Sequence, residues 1–119
     1  MTNDKQKQGS KIETAKAHDL AGLVDYSEGS TISRILYKSE KGSVTLFSFD
    51  EGQSLSEHTA PFDAMVQGIE GNIELTIGGE KVNVKPGQVV IMPANVPHGV
   101  YANERFKMLL TMIRDIQKE

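Results

Sequence analysis

The sequence predicts an all-β protein, a sandwich or barrel folded as one domain. Three observations predict it. Short runs of alternating, β-branched residues recur along the chain. Turn-forming Gly, Pro, Asn and Asp punctuate them at short intervals. Helical periodicity is almost missing. The 119 residues suit one domain. A chain of this length buries roughly two-thirds of its unfolded surface and needs no metal or disulfide staple to do so.

The elements follow in order. Residues 1 to 11 are charged, Gln-rich and poor in apolar side chains, which predicts a disordered tail. Residues 12 to 24 carry scattered apolar positions and read equally as a helical turn or an edge strand. His18, beside Asp19, reads as an exposed polar residue. Tyr26 to Ser30 is a turn. Residues 1–30 thus form an N-terminal extension, and 31–119 the barrel.

Thr31 to Tyr37 alternates and reads as a strand. Ser39 to Gly42 turns the chain into Ser43–Phe49, where Val44 and Leu46 share one face and Thr45, Phe47 and Phe49 the other. Asp50 to Gly52 turns again, and Leu55 to Ala60 runs up to Pro61, which cannot donate to a ladder. Phe62 to Ile69 is a strand. Ile73–Ile77 and Lys81–Val84 pair across Gly78-Gly79, two residues that accept positive φ. Lys85-Pro86-Gly87 turns into Val89–Met92. Pro93 to Pro97 is a loop, His98 to Tyr101 begins a strand, and Arg105 to Ile113 is the last long one, before a charged end at 115–119. That last strand is apolar on both faces: Phe106, Met108, Leu110 and Met112 line one, Leu109 and Ile113 the other. A one-sided sheet needs a polar outer face. Two-sided apolarity therefore predicts a homodimer interface or cover by the N-terminal segment.

Composition narrows the function. A net charge of −3 gives no basic face for nucleic acid. There is no cysteine, which excludes disulfides and thiol nucleophiles. No apolar run reaches the ~20 residues of a membrane helix, and the polar start MTNDKQKQGSK has no signal-peptide core. The expectation is a cytoplasmic protein with no membrane or nucleic-acid partner. No G-x-S-x-G elbow and no phosphate loop is present.

Two stretches carry the chemistry. Gly52–Gly71 reads GQSLSEHTAPFDAMVQGIEG, and Gly87–Ala102 reads GQVVIMPANVPHGVYA. Each opens on glycine after a polar turn and places one histidine, His58 or His98, beside small residues. The pair suits a metal site or an acid–base pair; the alternative is two locally hydrogen-bonded remnants. Asp63 could complete a two-His, one-carboxylate set. Parity turns it outward with Gln67 if His58, Ala60, Phe62, Ala64 and Val66 face inward, unless Pro61 breaks the register. Phe62, Ala60, Ala64, Val66, Val100 and Met108 are the expected pocket lining, an apolar cavity with few converging polar groups being the usual small-ligand site; their other reading is plain core packing. Tyr101 faces away by parity.

The two stretches resemble the paired motifs of the cupin superfamily. The first family motif runs glycine, five residues, His-x-His, three or four residues, Glu, six residues, glycine; Gly52, His58 and Gly71 match it. Ala60 stands at the second His and Ala64 at the Glu. The second runs glycine, five residues, Pro-x-Gly, two residues, His, three residues, Asn; Gly87, Pro93 and His98 match, with Asn95 for the glycine and Ala102 for the asparagine. The resemblance spans roughly residues 31 to 113 and implies a double-stranded β-helix, a jelly-roll barrel. It also implies a divalent metal held by three His and one Glu, of which two positions survive. Fe, Zn, Ni or Mn on two imidazoles would bind weakly unless other groups complete the shell. Three readings follow. One is a module binding a small organic ligand through His58 and His98. One is a metal-dependent oxygenase or isomerase. The last is a dimeric scaffold.

Overall fold

The computed structural model describes residues 9–114; the tail residues 1–8 and the charged end 115–119 lie outside them. Its strands are β1 (Gly9–Ser10), β2 (Thr31–Ser39), β3 (Gly42–Phe49), β4 (Ser54–His58), β5 (Ala64–Glu70), β6 (Ile73–Ile77), β7 (Glu80–Val84), β8 (Val89–Met92), β9 (His98–Tyr101) and β10 (Phe106–Ile113). They form a six-stranded sheet in the order β1-β2-β3-β10-β5-β8 and a four-stranded sheet in the order β4-β9-β6-β7. From β3 onward the chain crosses between sheets at every connection except β6–β7. That alternation winds a jelly roll, with long-range antiparallel pairing throughout.

The β6–β7 hairpin is the predicted one. Gly78 and Gly79 take φ of 60° and 86°, the two positive values that a tight two-residue hairpin turn requires. The strand expected from Phe62 begins instead at Ala64, because Pro61 and the two residues after it belong to the connection from β4. The predicted disorder of 1 to 11 is corrected at its C-terminal end. Gly9 and Ser10 pair with Lys38 and Tyr37, and the Lys11 amide donates to the Leu36 carbonyl at 2.8 Å.

Two layers of apolar side chains result from strand alternation. Between the sheets, Phe49, Ala64, Val66, Ile73, Leu75, Val84, Met92, Val100, Ala102, Phe106 and Met108 form the barrel core. Phe49 and Phe106 stack at 4.6 Å between centroids. Outside the larger sheet lies a second cluster. Val24, Leu36 and Leu46 are buried there, with Ile12, Leu20, Leu23, Ile32, Val44, Ile69 and Leu109 packed around them. Of the two alternatives for residues 12 to 24, the helical turn is the one found, and no edge strand forms there. These residues form a strap with one 3-10 turn at Leu20–Leu23, laid over the sheet's outer face.

A polar network pins the strap. Lys107 is only 7% exposed. Its Nζ donates to the Ala21 carbonyl at 2.7 Å, stands 3.6 Å from Glu70 Oε1 and lies 5.0 Å from the Tyr26 ring centroid. The Tyr26 hydroxyl donates to Glu70 at 2.9 Å; burial first, then that bond, pushes its pKa well up. The Ser48 hydroxyl donates to the Asp25 carbonyl at 2.8 Å. At the strap's far end, Asp50 accepts from Arg105 Nε at 2.8 Å and from the Gly29 amide at 2.6 Å. These bonds, the arginine's foremost, hold the Asp50 carboxyl below the usual range.

Candidate functional site

One end of the barrel is open. Along β10 the inward residues go from fully buried Phe106 and Met108 to partly exposed Leu110 and Met112; along β6 they go from Ile73 and Leu75 to Ile77. The closed end is plugged by the Phe49–Phe106 stack. The open end is bounded by two connections, 59–63 between β4 and β5 and 93–97 between β8 and β9.

Those connections are joined to each other. The Asn95 amide donates to the Ala60 carbonyl at 2.7 Å, and the Ala94 amide to Asp63 Oδ1 at 2.8 Å. Asn95, at the position where the family motif has glycine, takes φ of 66°. Asn is among the non-glycine residues that accept the left-handed region most readily. The residue replacement therefore keeps the backbone turn.

His58 ends β4 and His98 begins β9, and the two are direct cross-strand partners. Their rings stand 4.5 Å apart between centroids, 67° to one another. His98 is 7% exposed, while His58 is exposed on the edge strand. Next to His98 lies Gly99. A Cβ there would meet the Leu55 carbonyl at 3.1 Å and Glu57 Cγ at 3.2 Å. The missing side chain lets β4 lie close against β9 and so brings the two rings together.

Each ring is oriented by its own strand. His58 Nδ1 is 2.9 Å from the Ser56 carbonyl, and His98 Nδ1 is 3.1 Å from the Val96 carbonyl. A carbonyl only accepts, so in both neutral rings Nδ1 carries the hydrogen and Nε2 keeps a lone pair. This is the arrangement in which a backbone acceptor fixes the tautomer of a ligating or proton-accepting imidazole.

The remaining candidates divide. Asp63 lies in the connection before β5, where its Oδ1 accepts from the Ala94 amide, a turn contact. Among the described residues no group of three or more His, Cys, Asp or Glu converges on one point. Of the four ligand positions of the family motif, two carry side chains that could hold a transition metal, His58 and His98. Ala60 and Phe62 are partly exposed at the open end, and the Arg114 guanidinium lies 5.6 Å over the Phe62 ring. Ala64, Val66, Val100 and Met108 are packed in the barrel core, at 8% exposure or less. Sequence reasoning missed Ile77, which the register places beside His98; Met112, on the β10 face that carries Met108, stands beside Ala64. Alternation along β6 and β10 marks both as inward, and their position near strand ends toward the histidines was the available signal. His18 is remote from the pair and bonds the Glu13 carbonyl at 2.9 Å. Tyr101 faces outward, as expected. A separate depression of about 410 Å³ lies between the strap and β2, lined by Leu23, Asp25, Tyr26, Ile32 and Arg34 among others. The Arg34 guanidinium there donates to the Leu23 carbonyl at 3.0 Å.

The comparisons agree with this geometry. A cupin-domain family model matches residues 45–113, more than half of the chain. The conserved protein SPY1581 of unknown function from Streptococcus pyogenes has 38% sequence identity over 92% of this chain and 96% of its own, with a TM-score of 0.86. A cupin superfamily protein (DSY2733) from Desulfitobacterium hafniense has 28% identity over 91% of this chain and 99% of its own, with a TM-score of 0.84. The polyketide cyclase RemF from Streptomyces resistomycificus, at 20% identity over 73% and 67% of the two chains and a TM-score of 0.66, shares the fold. No curated protein matches. A jelly roll with two motif histidines meeting at its mouth, the family match over the barrel and the likeness to solved cupins lead to one conclusion: the chain belongs to the cupin superfamily.

Proposed function

We propose that this protein binds a small, partly apolar organic molecule at the barrel mouth, with His58 and His98 fixing its polar end. The matched pair of Nδ1 bonds to the Ser56 and Val96 carbonyls carries the reading. It leaves two oriented acceptors side by side above an apolar floor of Ala64, Met112 and Ile77. Either acceptor takes a donor from the ligand directly, or both hold a divalent metal (Fe, Zn, Ni or Mn) to which the ligand adds. A metal, when bound, supplies Lewis acidity. The chain's own groups orient the ligand, and the apolar floor excludes water from its buried end.

A second reading, a metal-dependent oxygenase or isomerase, draws on the same donor set, since two protein ligands leave most of a coordination shell to substrate. Elemental analysis of protein purified without chelator or nickel resin, beside His58→Ala and His98→Ala, separates the readings. Near-stoichiometric metal abolished by both substitutions favours the enzyme, and oxygen-dependent and isomerase assays come next. Metal-free protein whose His58 and His98 ring signals shift with small organic molecules supports direct binding. If neither metals nor a library of such molecules perturbs those signals, the proposal fails.

A further inference from the structure

Arg114 stands at the barrel mouth with its charge unanswered. Its amide donates to the Lys41 carbonyl at 2.6 Å, so the β3–β10 ladder runs one residue past Ile113. Alternation then carries the inward row of Phe106, Met108, Leu110 and Met112 on to Arg114. β10 and β5 pair Met112 with Ala64, and the same register continued by two residues sets Arg114 opposite Phe62. The side chains meet accordingly, with the guanidinium carbon 5.6 Å from the centre of the Phe62 ring. Arg114 is thus the one charged member of an otherwise apolar row, at the rim where that row opens to solvent.

Three observations bear on what this cation is for. The first is that its donors are free. The chain has three arginines: Arg34, Arg105 and Arg114. Arg105 donates from Nε to Asp50 at 2.8 Å, and Arg34 donates to the Leu23 carbonyl at 3.0 Å. Among the described residues, Arg114 has neither a carboxylate nor a carbonyl for its side-chain donors. Its contact with Phe62 engages the charge and leaves the N–H fork available. The second is that the nearby acids are turned elsewhere. Asp63 accepts from the Ala94 amide. Glu57 packs against Gly99, whose missing side chain points out of the barrel because Val100 beside it points in. The third is that the mouth has two polar sides. His58 and His98 belong to the smaller sheet and Arg114 extends a strand of the larger, and facing sheets lie about 10 Å apart. The rest of the lining is apolar: Ile77, Met112 and the Phe62 ring. A carboxylate matches a guanidinium fork through two parallel N–H···O bonds, and such bonds are stronger beside apolar walls than in open water. A chain with a net charge of −3 attracts no anion through its overall field, so a preference for one must be local.

We propose that the ligand is a small carboxylic acid: Arg114 binds its carboxylate, and a hydroxyl at its far end faces His58 and His98. The inference rests on ligand binding at the mouth and adds the chemical class of the ligand. Titration of the full chain at fixed pH, followed through the His58 and His98 ring signals, tests it. The probes are para-hydroxybenzoate, para-hydroxyphenylacetate and gamma-hydroxybutyrate, each beside its primary amide, which keeps the shape and loses the charge. The expected result is that the acids bind at least about tenfold tighter than their amides. Arg114→Gln should bring each acid down to the affinity of its amide and leave the amide unchanged. Arg114→Lys should keep part of the preference, since an ammonium retains the charge without the fork. Arg114 is exposed at the end of its strand, so both variants keep the barrel intact. Acids and amides that shift the ring signals with equal affinity overturn the inference and leave binding at the mouth standing. A preference for acids that survives in Arg114→Gln overturns it as well, since the anion is then held elsewhere. If no probe of either kind moves the ring signals, the inference falls together with the reading it rests on.

Discussion

Lys107 is a buried cation on β10, at the centre of the polar network that pins the strap, and replacing it tests whether it holds the strap. In Lys107→Met the side chain keeps most of its unbranched length and loses its charge. The charge-assisted bond to the Ala21 carbonyl is worth about 1.5–3 kcal/mol. The Glu70 contact adds under about 1 kcal/mol, because that carboxylate is 42% exposed and the separation is 3.6 Å. The Tyr26 ring adds about 1 kcal/mol more. Against these stands relief from burying a charge, which makes the net loss smaller than the sum. We expect about 2–3 kcal/mol, or roughly 10 °C in Tm for a chain of this size. Hydrogen exchange locates the loss. Amides of residues 12–30 should lose protection while those of β5, β6 and β9 keep theirs, because the strap cluster and the barrel core are separate. Lys107→Met as stable as the native protein, with the strap equally protected, would refute the reasoning. It would show that burying the ammonium costs as much as its partners return.

The other expectations are briefer. Gly71→Ala should be severely destabilising by urea titration. Its φ is 70° and a Cβ would fall 2.1 Å from the Arg105 carbonyl oxygen; Gly87→Ala, at φ 88° with open space around it, should cost only about 1 kcal/mol. Asp50 gives a pH dependence. Its folded pKa is depressed, so its contribution is complete above the unfolded value of about 3.9 and fades as pH falls through the folded value. Acid titration should release the Gly29 end of the strap before the barrel unfolds, and Asp50→Asn should abolish that step; an unchanged acid profile would count against it.

Much of the fold was legible because its determinants are local. Alternation set the strands from β2 to β10, Gly78 and Gly79 set the hairpin, and motif spacing put His58 and His98 in register. What stayed hidden depends on pairs far apart in sequence. Lys107 sits inside an apolar run and reads as the polar side of a half-buried strand; only the strap, some 86 residues earlier, makes it a buried donor. Residues 12 to 24 have no period because they follow the surface beneath them. The six apolar residues named for the pocket share inward parity, and parity alone does not say how deep along the barrel each one sits. Depth separates Ala60 and Phe62 at the rim from Val66 and Met108 in the packed interior.

The two histidines stand on unlike supports. His98 is locked into a strand with neighbours on both sides, whereas His58 ends β4, an edge strand with every residue exposed and a register shift between Leu55 and His58. The site is therefore a vice with one fixed jaw and one sprung jaw. Under the proposed function, a bulky guest would be accommodated by displacing β4 alone, without disturbing the barrel behind His98. Its dwell time would then follow how often that edge strand peels away, a local event far cheaper than unfolding. Stiffness on the β4 side, more than the size of the mouth, would set which guests stay.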